Sequence, residues 1–437
     1  MKLGEMMDYK NLYNQYMYSY PHKRTYSLIE RLDLSDFKNA FVNRTMGLYF
    51  HIPFCRSKCG FCNLFSVTNV RREDYSRYID AIERHSKQMR AEINLEQTEF
   101  TSLVLGGGTP LILSPRELER LFVLAQDDYR FDFEKRFSVI ESSPREVNLD
   151  KLKLLKKWHI KRISMGVQSF VEEELRLLER FEEKNQTLEA LEQIKKFDFE
   201  ILNVDLIYGI PNQSAQSFLY SLRELMRFQP EEVFLYPLYK QENARLYHKF
   251  EMDHKQQYAL YQIGRDFLKS EGYHQLSMRS FAKKPAQNAD CGFENTLSLG
   301  CGGRSYFDNL HFCEPYVSEK SACESEYQHY LKREDFLANL SFYDLNLDER
   351  KRKYAIKNLL YRTGLSLADY KKHFGGELLQ DFGFLGELLE TKDLICREGR
   401  IFLSEQGLGK SDAIGPLFMS EKVKEKMYGN DLLSRVD

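Results

Sequence analysis

The stretch FTSLVLGGGTPLILSPRE, residues 100–117, reads as a complete strand-to-helix junction. Its apolar run leads into the glycines at 106–108, which predicts a buried strand followed by a tight turn. Ser114 then stands before Pro115 and Glu117. Serine can cap a helix, proline fits the first helical turn, and a glutamate three positions after the serine completes a capping box. The glycines are therefore expected at the carboxyl end of a strand, shortly before a helix.

The same alternation recurs along most of the chain, where apolar runs are separated by charged stretches of helical periodicity such as 72–93 and 172–197. Strands separated by helix-length segments pair in parallel through right-handed crossovers. The runs that fit buried strands are 48–53, 100–107, 136–142, 162–170, 201–209 and 231–239. They predict an α/β fold, a partial (β/α)6 TIM-like barrel, with a site at the carboxyl ends of the strands.

The two ends of the chain depart from this pattern. Residues 1–45 are rich in tyrosine without clear periodicity, which predicts an N-terminal extension lying over the barrel of residues 46–290. Residues 291–437 predict a smaller, mainly helical C-terminal domain that ends in a winged-helix-like unit. Its expected helices are 323–337, 347–362, 366–373 and 383–390, followed by a hairpin at 395–407.

Composition excludes several classes of function. The chain has 437 residues, 42% hydrophobic and 29% charged, with a net charge of -2. The basic residues are scattered, so neither nucleic acid nor a membrane surface is expected as a partner. The N-terminus lacks the pattern of a signal peptide, and no run approaches the roughly 20 apolar residues of a membrane span. We therefore expect a cytoplasmic protein.

Three cysteines, Cys55, Cys59 and Cys62, crowd into the stretch YFHIPFCRSKCGFC at 49–62. Three cysteines lie close together and the other five are scattered along the chain, which argues against a framework of disulfide bonds. Structural zinc usually takes four ligands, and His51 lies on a predicted strand whose neighbours point in different directions. The alternative is a [4Fe-4S] cluster held by three thiolates, which leaves one iron without a protein ligand and free to bind a small molecule.

The Cys-x3-Cys-x2-Cys spacing resembles the signature of the radical S-adenosylmethionine (SAM) superfamily. Within that superfamily, YFHIPFCRSKCGFC is similar to the YxHIPFCxxxCxFC opening of the oxygen-independent coproporphyrinogen III oxidase-like family, the HemN/HemW-like proteins. The resemblance covers about residues 45–310 and, more weakly, the C-terminal domain. Further motifs in the family's order are GGGTP at 106–110, Glu141 with Pro144, RISMGVQSF at 162–170, Arg180, DLIYGIP at 205–211 and a GxGxxS loop at 300–305.

The resemblance implies a reaction and its cofactors. Cys55, Cys59 and Cys62 would bind a [4Fe-4S] cluster, and the open iron would chelate the amino and carboxylate groups of SAM. An electron from the reduced cluster cleaves the sulfonium bond, and the resulting 5′-deoxyadenosyl radical abstracts hydrogen from a small-molecule substrate. An electron donor such as flavodoxin or ferredoxin is implied as a partner.

The resemblance also implies the residues around SAM. Tyr49 would lie near the sulfonium, where it is the candidate catalytic residue, and Phe61 beside the adenine. The methionine end would meet Gly107, Gly108 and Thr109, because glycines let backbone N–H groups approach a carboxylate closely. The remaining SAM-binding candidates are Glu141, Gln168, Arg180 and Asp205, with carboxylates suited to amino or hydroxyl groups and arginine to a carboxylate.

Each of these polar residues also has a structural interpretation. Glu141 and Asp205, at strand ends, could cap helices, and Gln168 could satisfy a buried backbone group. Arg180 could lie on a solvated helix face near Glu173 and Glu179. The joint match to the motif positions favours the SAM-binding interpretation.

Two departures leave the reaction open. Leu64 stands where the coproporphyrinogen oxidases carry a further cysteine, and the segment before the 300–305 loop lacks the histidine of the heme chaperones. The main hypothesis is a radical SAM enzyme acting on a small organic substrate, with a tetrapyrrole as a candidate. The alternatives are a HemN-like methyltransferase or cyclopropanase that uses a second SAM, and a non-catalytic heme chaperone of the HemW type.

Two local features could belong to a subgroup. The phenols and cations of residues 18–26 could hold an anionic or aromatic substrate over the barrel mouth, or could form a solvated arm. Cys301 lies in a glycine-rich loop that could bind an anion, relay a radical or ligate a second cluster, but a small packing residue is the commoner role. Buried thiols are expected at Cys291, Cys313, Cys323 and Cys396.

Overall fold

The computed structural model describes residues 9–13, 16–17, 19–240, 244–284 and 294–428. The strands are β1 Ser27–Arg31, β2 Thr45–Ile52, β3 Glu99–Gly107, β4 Phe137–Ser142, β5 Arg162–Gln168, β6 Ile201–Tyr208, β7 Glu232–Pro237, β8 His274–Gln275, β9 Ser280–Ala282, β10 Thr296–Leu299, β11 Arg304–Phe307, β12 Leu310–Cys313, β13 Ala338–Asp344, β14 Leu365–Ser366, β15 Leu394–Arg397 and β16 Arg400–Leu403. The α-helices are α1 Arg72–Glu92, α2 Pro115–Tyr129, α3 Leu149–Lys157, α4 Glu172–Leu177, α5 Lys184–Lys196, α6 Ala215–Met226, α7 His254–Ser270, α8 Lys320–Lys332, α9 Leu347–Leu359, α10 Leu367–Phe374, α11 Leu378–Asp381, α12 Leu385–Glu390, α13 Glu405–Leu408, α14 Ser411–Ile414 and α15 Glu421–Tyr428.

The centre of the molecule is a run of parallel strands. Strands β2 to β7 pair in parallel in sequence order, and helices connect each strand to the next. Because all six run the same way, their carboxyl ends meet along one edge of the sheet. The predicted α/β fold with a partial (β/α)6 TIM-like barrel is confirmed.

The ends of the chain extend this sheet. Strand β10 pairs in parallel with β2, and β11, β12, β13 and β1 follow it in antiparallel order. Strands β9 and β8 continue the sheet beyond β7, so the sheet has 13 strands within the described residues. Residues 294–344 thus add strands to the barrel sheet, and the helical unit follows them. The domain boundaries at 45/46 and 290/291 stay predictions, and the second lies outside the described residues.

The junction at residues 100–117 forms as predicted. Strand β3 ends at Gly107 and helix α2 begins at Pro115. The Glu117 side chain accepts a hydrogen bond from the Ser114 N–H at 3.1 Å, and the serine side chain completes the capping box. The expected strand, turn and helix are therefore all present.

The single helix predicted over 172–197 is wrong, because the chain breaks between α4 and α5. Leu178 is fully buried in a small apolar core beneath the cysteines, and its carbonyl accepts a hydrogen bond from the Gly60 N–H at 3.0 Å. Glu179 turns the chain with a φ of 55°. The burial of Leu178 and its hydrogen bond with Gly60 therefore end the helix instead of letting it continue. The turn at Glu179 then places Arg180 near the cysteines.

The C-terminal unit has its own apolar core, which includes Met17 and Tyr20 from the N-terminal segment. The predicted hairpin is confirmed as β15 and β16, with Glu398 and Gly399 both at positive φ, as a two-residue turn of this kind requires. Together with β14 it makes a three-stranded sheet beside short helices. Among the described helices, none combines the length and apolar character needed to cross a membrane.

Candidate functional site

A cavity of about 410 Å³ lies at the carboxyl ends of the barrel strands, under the loop that carries the three cysteines. Its walls contain eleven of the twelve residues predicted to bind the cluster or SAM: Cys55, Cys59, Cys62, Phe61, Gly107, Gly108, Thr109, Glu141, Gln168, Arg180 and Asp205. Tyr49 lines an adjoining cavity of about 650 Å³. The fold therefore brings together residues that are up to 150 positions apart along the chain.

The cysteine loop is fixed by backbone hydrogen bonds. The Cys55 N–H donates to the Val67 carbonyl at 3.0 Å, and the Cys62 N–H donates to the Cys59 carbonyl at 3.2 Å. Cys55 Sγ lies 3.7 Å from Thr109 Oγ1. Burial raises the pKa of the Cys55 thiol to about 12 and also raises the pKa of Cys62. A bound metal would be needed to hold these groups as thiolates at neutral pH.

The three thiols are the donor type that an iron-sulfur cluster uses. Among the described residues, no three His, Cys, Asp or Glu side chains converge on one metal position. In a four-iron cluster each cysteine binds a different iron, so its ligands do not need to converge on one point. All three thiols nevertheless face one cavity. The donor set and its spacing are therefore compatible with a [4Fe-4S] cluster.

The glycine turn after β3 is packed tightly against the chain that enters the cysteine loop. A Cβ on Gly108 would lie 2.6 Å from the Phe54 carbonyl oxygen, and Gly107 has a φ of 116°. The Gly107 N–H donates to Glu141 Oε2 at 3.1 Å, and the N–H groups of Gly108 and Thr109 donate to backbone carbonyls at 2.8 Å. The Gly107 N–H thus donates to a carboxylate of the protein, that of Glu141, and not to a ligand. The glycines at 107 and 108 allow the chain to pack closely at this turn.

Glu141, near the end of β4, and Asp205, within β6, form a partly buried acidic pair. Burial raises the pKa of Glu141 to about 7 and that of Asp205 to about 6. Gly107 donates to Glu141, and the Asn203 Nδ2 group donates to Asp205 Oδ1 at 2.7 Å. Neither hydrogen bond caps a helix, so that alternative is not supported. A positively charged or hydroxyl-bearing ligand would stabilise the ionised carboxylates.

Arg180 is buried beside the cysteines, with 9% of its surface exposed. Its guanidinium donates to the Gly166 carbonyl at 2.9 Å, pairs with Glu182 at 3.0 Å, and has NH1 at 3.8 Å from Cys59 Sγ. The interpretation as a solvated helix residue is therefore wrong. A buried cation at this distance stabilises negative charge on the cysteine sulfur.

Gln168 ends β5 at a φ of 72°, where the pairing with β6 shifts register. A Cβ on Gly166 would lie 2.7 Å from Gln168 Nε2, so the absence of a side chain at Gly166 makes room for the glutamine. Both residues line the smaller cavity. The irregular strand end therefore places the amide of Gln168 at the site.

Tyr49 and His51 are neighbours on one face of β2. The Tyr49 hydroxyl lies 3.4 Å from His51 Nδ1, and His51 Nε2 lies 3.3 Å from the Phe65 carbonyl oxygen. Burial lowers the pKa of His51 to about 3, so its imidazole is neutral. His51 thus links Tyr49 to the segment that follows the cysteines.

Several residues of the two cavities were missed by sequence reasoning. Along β5, β6 and β7 every second residue faces the cavities, and many of these are polar or aromatic. They are Arg162, Ser164, Asn203, Phe234 and Tyr236. The signal was an alternation of period two within runs that look apolar overall. Tyr16 also lies between the two cavities, and no sequence pattern pointed to it.

Cys301 is fully buried and lines neither of these cavities. Its N–H donates to the Tyr78 hydroxyl at 2.8 Å, and the Gly302 N–H donates to Glu314 Oε2 at 3.0 Å. The loop amides are thus bonded within the protein, which favours a packing role. Cys313 and Cys323 are buried as expected, the expectation for Cys396 is wrong because it is exposed, and Cys291 lies outside the described residues.

Proteins of known class resemble this chain in sequence and in fold. Residues 49–225 match the Radical SAM superfamily, so the chain carries a radical SAM domain. It is homologous to the oxygen-independent coproporphyrinogen III oxidases (HemN) and to the heme chaperone HemW. The expected resemblance to this family is thereby confirmed.

Individual relatives extend over most of the chain. It is 27% identical over 423 residues to the oxygen-independent coproporphyrinogen III oxidase of Salmonella typhimurium, covering 91% of this chain and 90% of the relative. It is 29% identical over 278 residues to heme chaperone HemW of Buchnera aphidicola subsp. Schizaphis graminum, covering 61% and 71%. The solved structure of Escherichia coli HemN has a TM-score of 0.75 at 23% identity over 86% of this chain and 90% of that one, and it shares this fold.

Proposed function

We propose that this chain is a radical SAM enzyme that binds a [4Fe-4S] cluster through Cys55, Cys59 and Cys62 and acts on a small organic substrate. When bound, the reduced cluster supplies one electron that cleaves SAM to methionine and a 5′-deoxyadenosyl radical, which abstracts hydrogen from the substrate. The observation that carries the proposal is that the three cysteines share one cavity with the partly buried acidic pair Glu141 and Asp205.

The protein groups have distinct tasks in this proposal. Glu141 and Asp205 would accept hydrogen bonds from the amino and ribose groups of SAM, and ligand binding would favour their ionised forms. Phe61 would offer an aromatic face to the adenine, and Tyr49 and Gln168 would lie near the sulfonium. Arg180 stabilises the thiolate of Cys59, because its guanidinium already contacts that sulfur, Gly166 and Glu182. Arg180 therefore acts on the cysteine rather than on the carboxylate of SAM.

The substrate and the electron donor are proposed at the level of chemical class. The relatives are named for coproporphyrinogen and for heme, so a tetrapyrrole is the candidate substrate. Leu64 occupies the position of the further cysteine in the oxidases, and it separates this chain from them. The electron would come from a small redox protein of the flavodoxin or ferredoxin type.

The test is SAM cleavage by the anaerobically reconstituted protein. With dithionite and SAM, the full chain should form 5′-deoxyadenosine, measured by liquid chromatography and mass spectrometry. Cys55→Ala should lose both the iron-sulfur absorbance and the product. Cys323→Ala is the matched control, because this buried thiol lines neither cavity, and it should keep both.

The similarity to HemW defines the competing outcome. If cluster-loaded protein binds heme and forms no 5′-deoxyadenosine under any reducing condition, the enzyme proposal fails and a heme chaperone is favoured. Tight binding of zinc with no iron would contradict both functions. A product that carries a carbon from a second SAM would instead indicate the methyltransferase or cyclopropanase alternative.

A further inference from the structure

The larger cavity is enclosed by three parts of the chain. The inward faces of the barrel strands form its floor, residues 22–24 form one side, and residues of the C-terminal unit such as Tyr361 and Tyr428 complete the wall. We infer that Lys23 and Arg24 bind an anionic group, carboxylate or phosphate, of a ring-containing substrate. The inference rests on the proposed function, because it names the substrate class of the same site.

Lys23 and Arg24 differ from the other cations around the cavity in their ion pairing. The other lysine and arginine residues that line it each form an ion pair with a carboxylate: Arg162 with Glu232, Lys240 with Glu251, and Arg279 with Asp412. Among the residues that the structure describes, no carboxylate pairs with Lys23 or Arg24. The two positive charges are therefore available to a ligand.

The surroundings of the two cations are aromatic and positive. Both are partly buried over the ring of Tyr316, with Lys23 Nζ at 4.7 Å and the Arg24 guanidinium carbon at 5.3 Å from the ring centre. Burial lowers the pKa of His22 to about 3, and the nearby positive charges of Arg304, Lys23 and Arg24 add to this effect. The His22 imidazole is therefore neutral. Like charges held near one another in a partly buried place repel, and a bound anion would relieve the repulsion.

The position of these cations orients a ligand toward the cysteines. Asn63, Leu64 and Tyr16 border both cavities, so a molecule anchored at Lys23 and Arg24 can reach the wall beside the cluster loop. The acidic pair of Glu141 and Asp205 borders both cavities as well. Because carboxylates repel an anion, the anionic end is favoured at the N-terminal segment and disfavoured at the SAM site.

The rest of the wall indicates what the anion is attached to. Aromatic side chains line much of the cavity: Tyr13, Tyr16, Phe234, Tyr236, Tyr239 and Tyr316. Aromatic faces bind flat, ring-containing molecules through dispersion and edge-to-face contacts. The combination of two cations and many rings selects an organic acid with a planar or ring-containing body.

The experiment uses benzene-1,3,5-tricarboxylate as the probe and isothermal titration of the cluster-loaded full chain as the measurement. The probe should bind, and the neutral benzene-1,3,5-tricarboxamide, which has the same shape, should bind about tenfold more weakly or not at all. The double variant Lys23→Gln with Arg24→Gln should lose about tenfold or more in affinity for the tricarboxylate. Lys38→Gln, an exposed lysine of the same N-terminal segment, is the matched control and should bind like the wild type.

Three additional measurements assign the anion and guard against misfolding. Pyrophosphate titrated in parallel should depend on the same cations, and the tighter probe identifies the preferred anion. The charge-conserving variants Lys23→Arg and Arg24→Lys should keep most of the wild-type affinity for the tricarboxylate. In the wild type, raising the NaCl concentration should weaken the binding of the tricarboxylate and leave the binding of the tricarboxamide unchanged. This result does not depend on the folding of any variant.

Equal affinity of the double glutamine variant and the wild type, or equal binding of charged and neutral probes, would overturn the inference. Formation of 5′-deoxyadenosine by the wild type is scored separately. If it forms while the probes ignore Lys23 and Arg24, the anion site fails and the proposed enzyme stands. If no 5′-deoxyadenosine forms but probe binding depends on the two cations, the anion site stands and the enzyme proposal fails.

Discussion

Glu141 and Asp205 are carboxyl groups that the fold holds partly buried in the cavity walls. Burial raises the pKa of Glu141 to about 7, above its ordinary value of 4.5, so the folded chain binds this proton more tightly than the unfolded chain. The sign follows: the stabilisation is complete below about pH 4.5 and is lost as the pH rises through about 7. The acidic pair therefore costs stability at neutral pH until a ligand compensates it.

Replacing this carboxyl should remove part of the pH dependence. We expect the free energy of unfolding of cluster-free Glu141→Gln to fall less between about pH 5.5 and about pH 7.5 than that of the wild type, by roughly 1–2 kcal/mol. Urea unfolding at both pH values measures it. Glu390→Gln, at an exposed position, should keep the wild-type slope. The same slope in all three proteins would show that Glu141 does not titrate in this range.

Cys301 tests whether a second cluster exists. Cys301 is fully buried, the amides of its loop are bonded within the protein, and the residue lines neither cavity. We therefore expect Cys301→Ala to keep about four irons per chain. Iron and protein assays after anaerobic reconstitution measure the ratio, with Cys55→Ala as the variant that should lose the cluster. A fall from about eight irons to about four would reveal a second cluster held by Cys301.

At the scale of elements, the turn after β3 is the most constrained junction. A Cβ on Gly108 would meet the Phe54 carbonyl oxygen at 2.6 Å and the Pro53 carbonyl carbon at 2.8 Å, and backbone atoms cannot rotate away. Gly108→Ala should therefore destabilise the fold by about 2 kcal/mol or more, measured by urea unfolding. A neutral result would mean that the cysteine loop can move away from β3.

A glycine in an open position provides the control. Gly386 is exposed within helix α12, and a Cβ there meets no atom within 4 Å. Since alanine favours the helix, Gly386→Ala should stabilise the protein by up to about 1 kcal/mol. The two substitutions are chemically identical, so opposite signs would isolate the close approach at Gly108.

The elements also show which local signals are reliable. The strands of the barrel and the capped start of α2 follow from apolar runs and from Ser114 and Glu117, because those interactions lie close together in the sequence. The break between α4 and α5 was missed, because it depends on Leu178 entering a core built from β6, the segment after β7 and residue 246. A helix-periodic sequence does not reveal which distant residues will bury one of its members.

At the scale of the whole molecule, a buried ion pair joins the barrel to the C-terminal unit. Arg279 contacts Asp412 and Tyr239, and its guanidinium carbon lies 3.8 Å from the centre of the Tyr16 ring. The side chains of Arg279 and Asp412 are only 6% and 2% exposed. The pair therefore connects the barrel, the N-terminal segment and the C-terminal unit in one contact.

Removing one charge of this pair should be costly. Asp412→Asn keeps the shape of the side chain but leaves the Arg279 charge buried without its counter-ion, so we expect a loss of about 3–5 kcal/mol in the free energy of unfolding. The matched control is Glu377→Gln, which breaks the ion pair with Lys371 on the surface and should cost under about 1 kcal/mol. Comparable losses in the two variants would contradict the role given to the buried pair.

The sequence by itself determined the parallel barrel, the capped helix α2, the cysteine spacing and the resemblance to a known family. These depend on periodicity and on short motifs that can be recognised without knowing the tertiary contacts. Only the tertiary structure decided that Arg180 lies at Cys59, that Gly107 meets Glu141, and that Lys23 and Arg24 face the larger cavity. The physical reason is that burial and charge pairing depend on which distant segments meet. A local pattern specifies an element, whereas the free energy of a buried charge is set by neighbours that only the folded chain supplies.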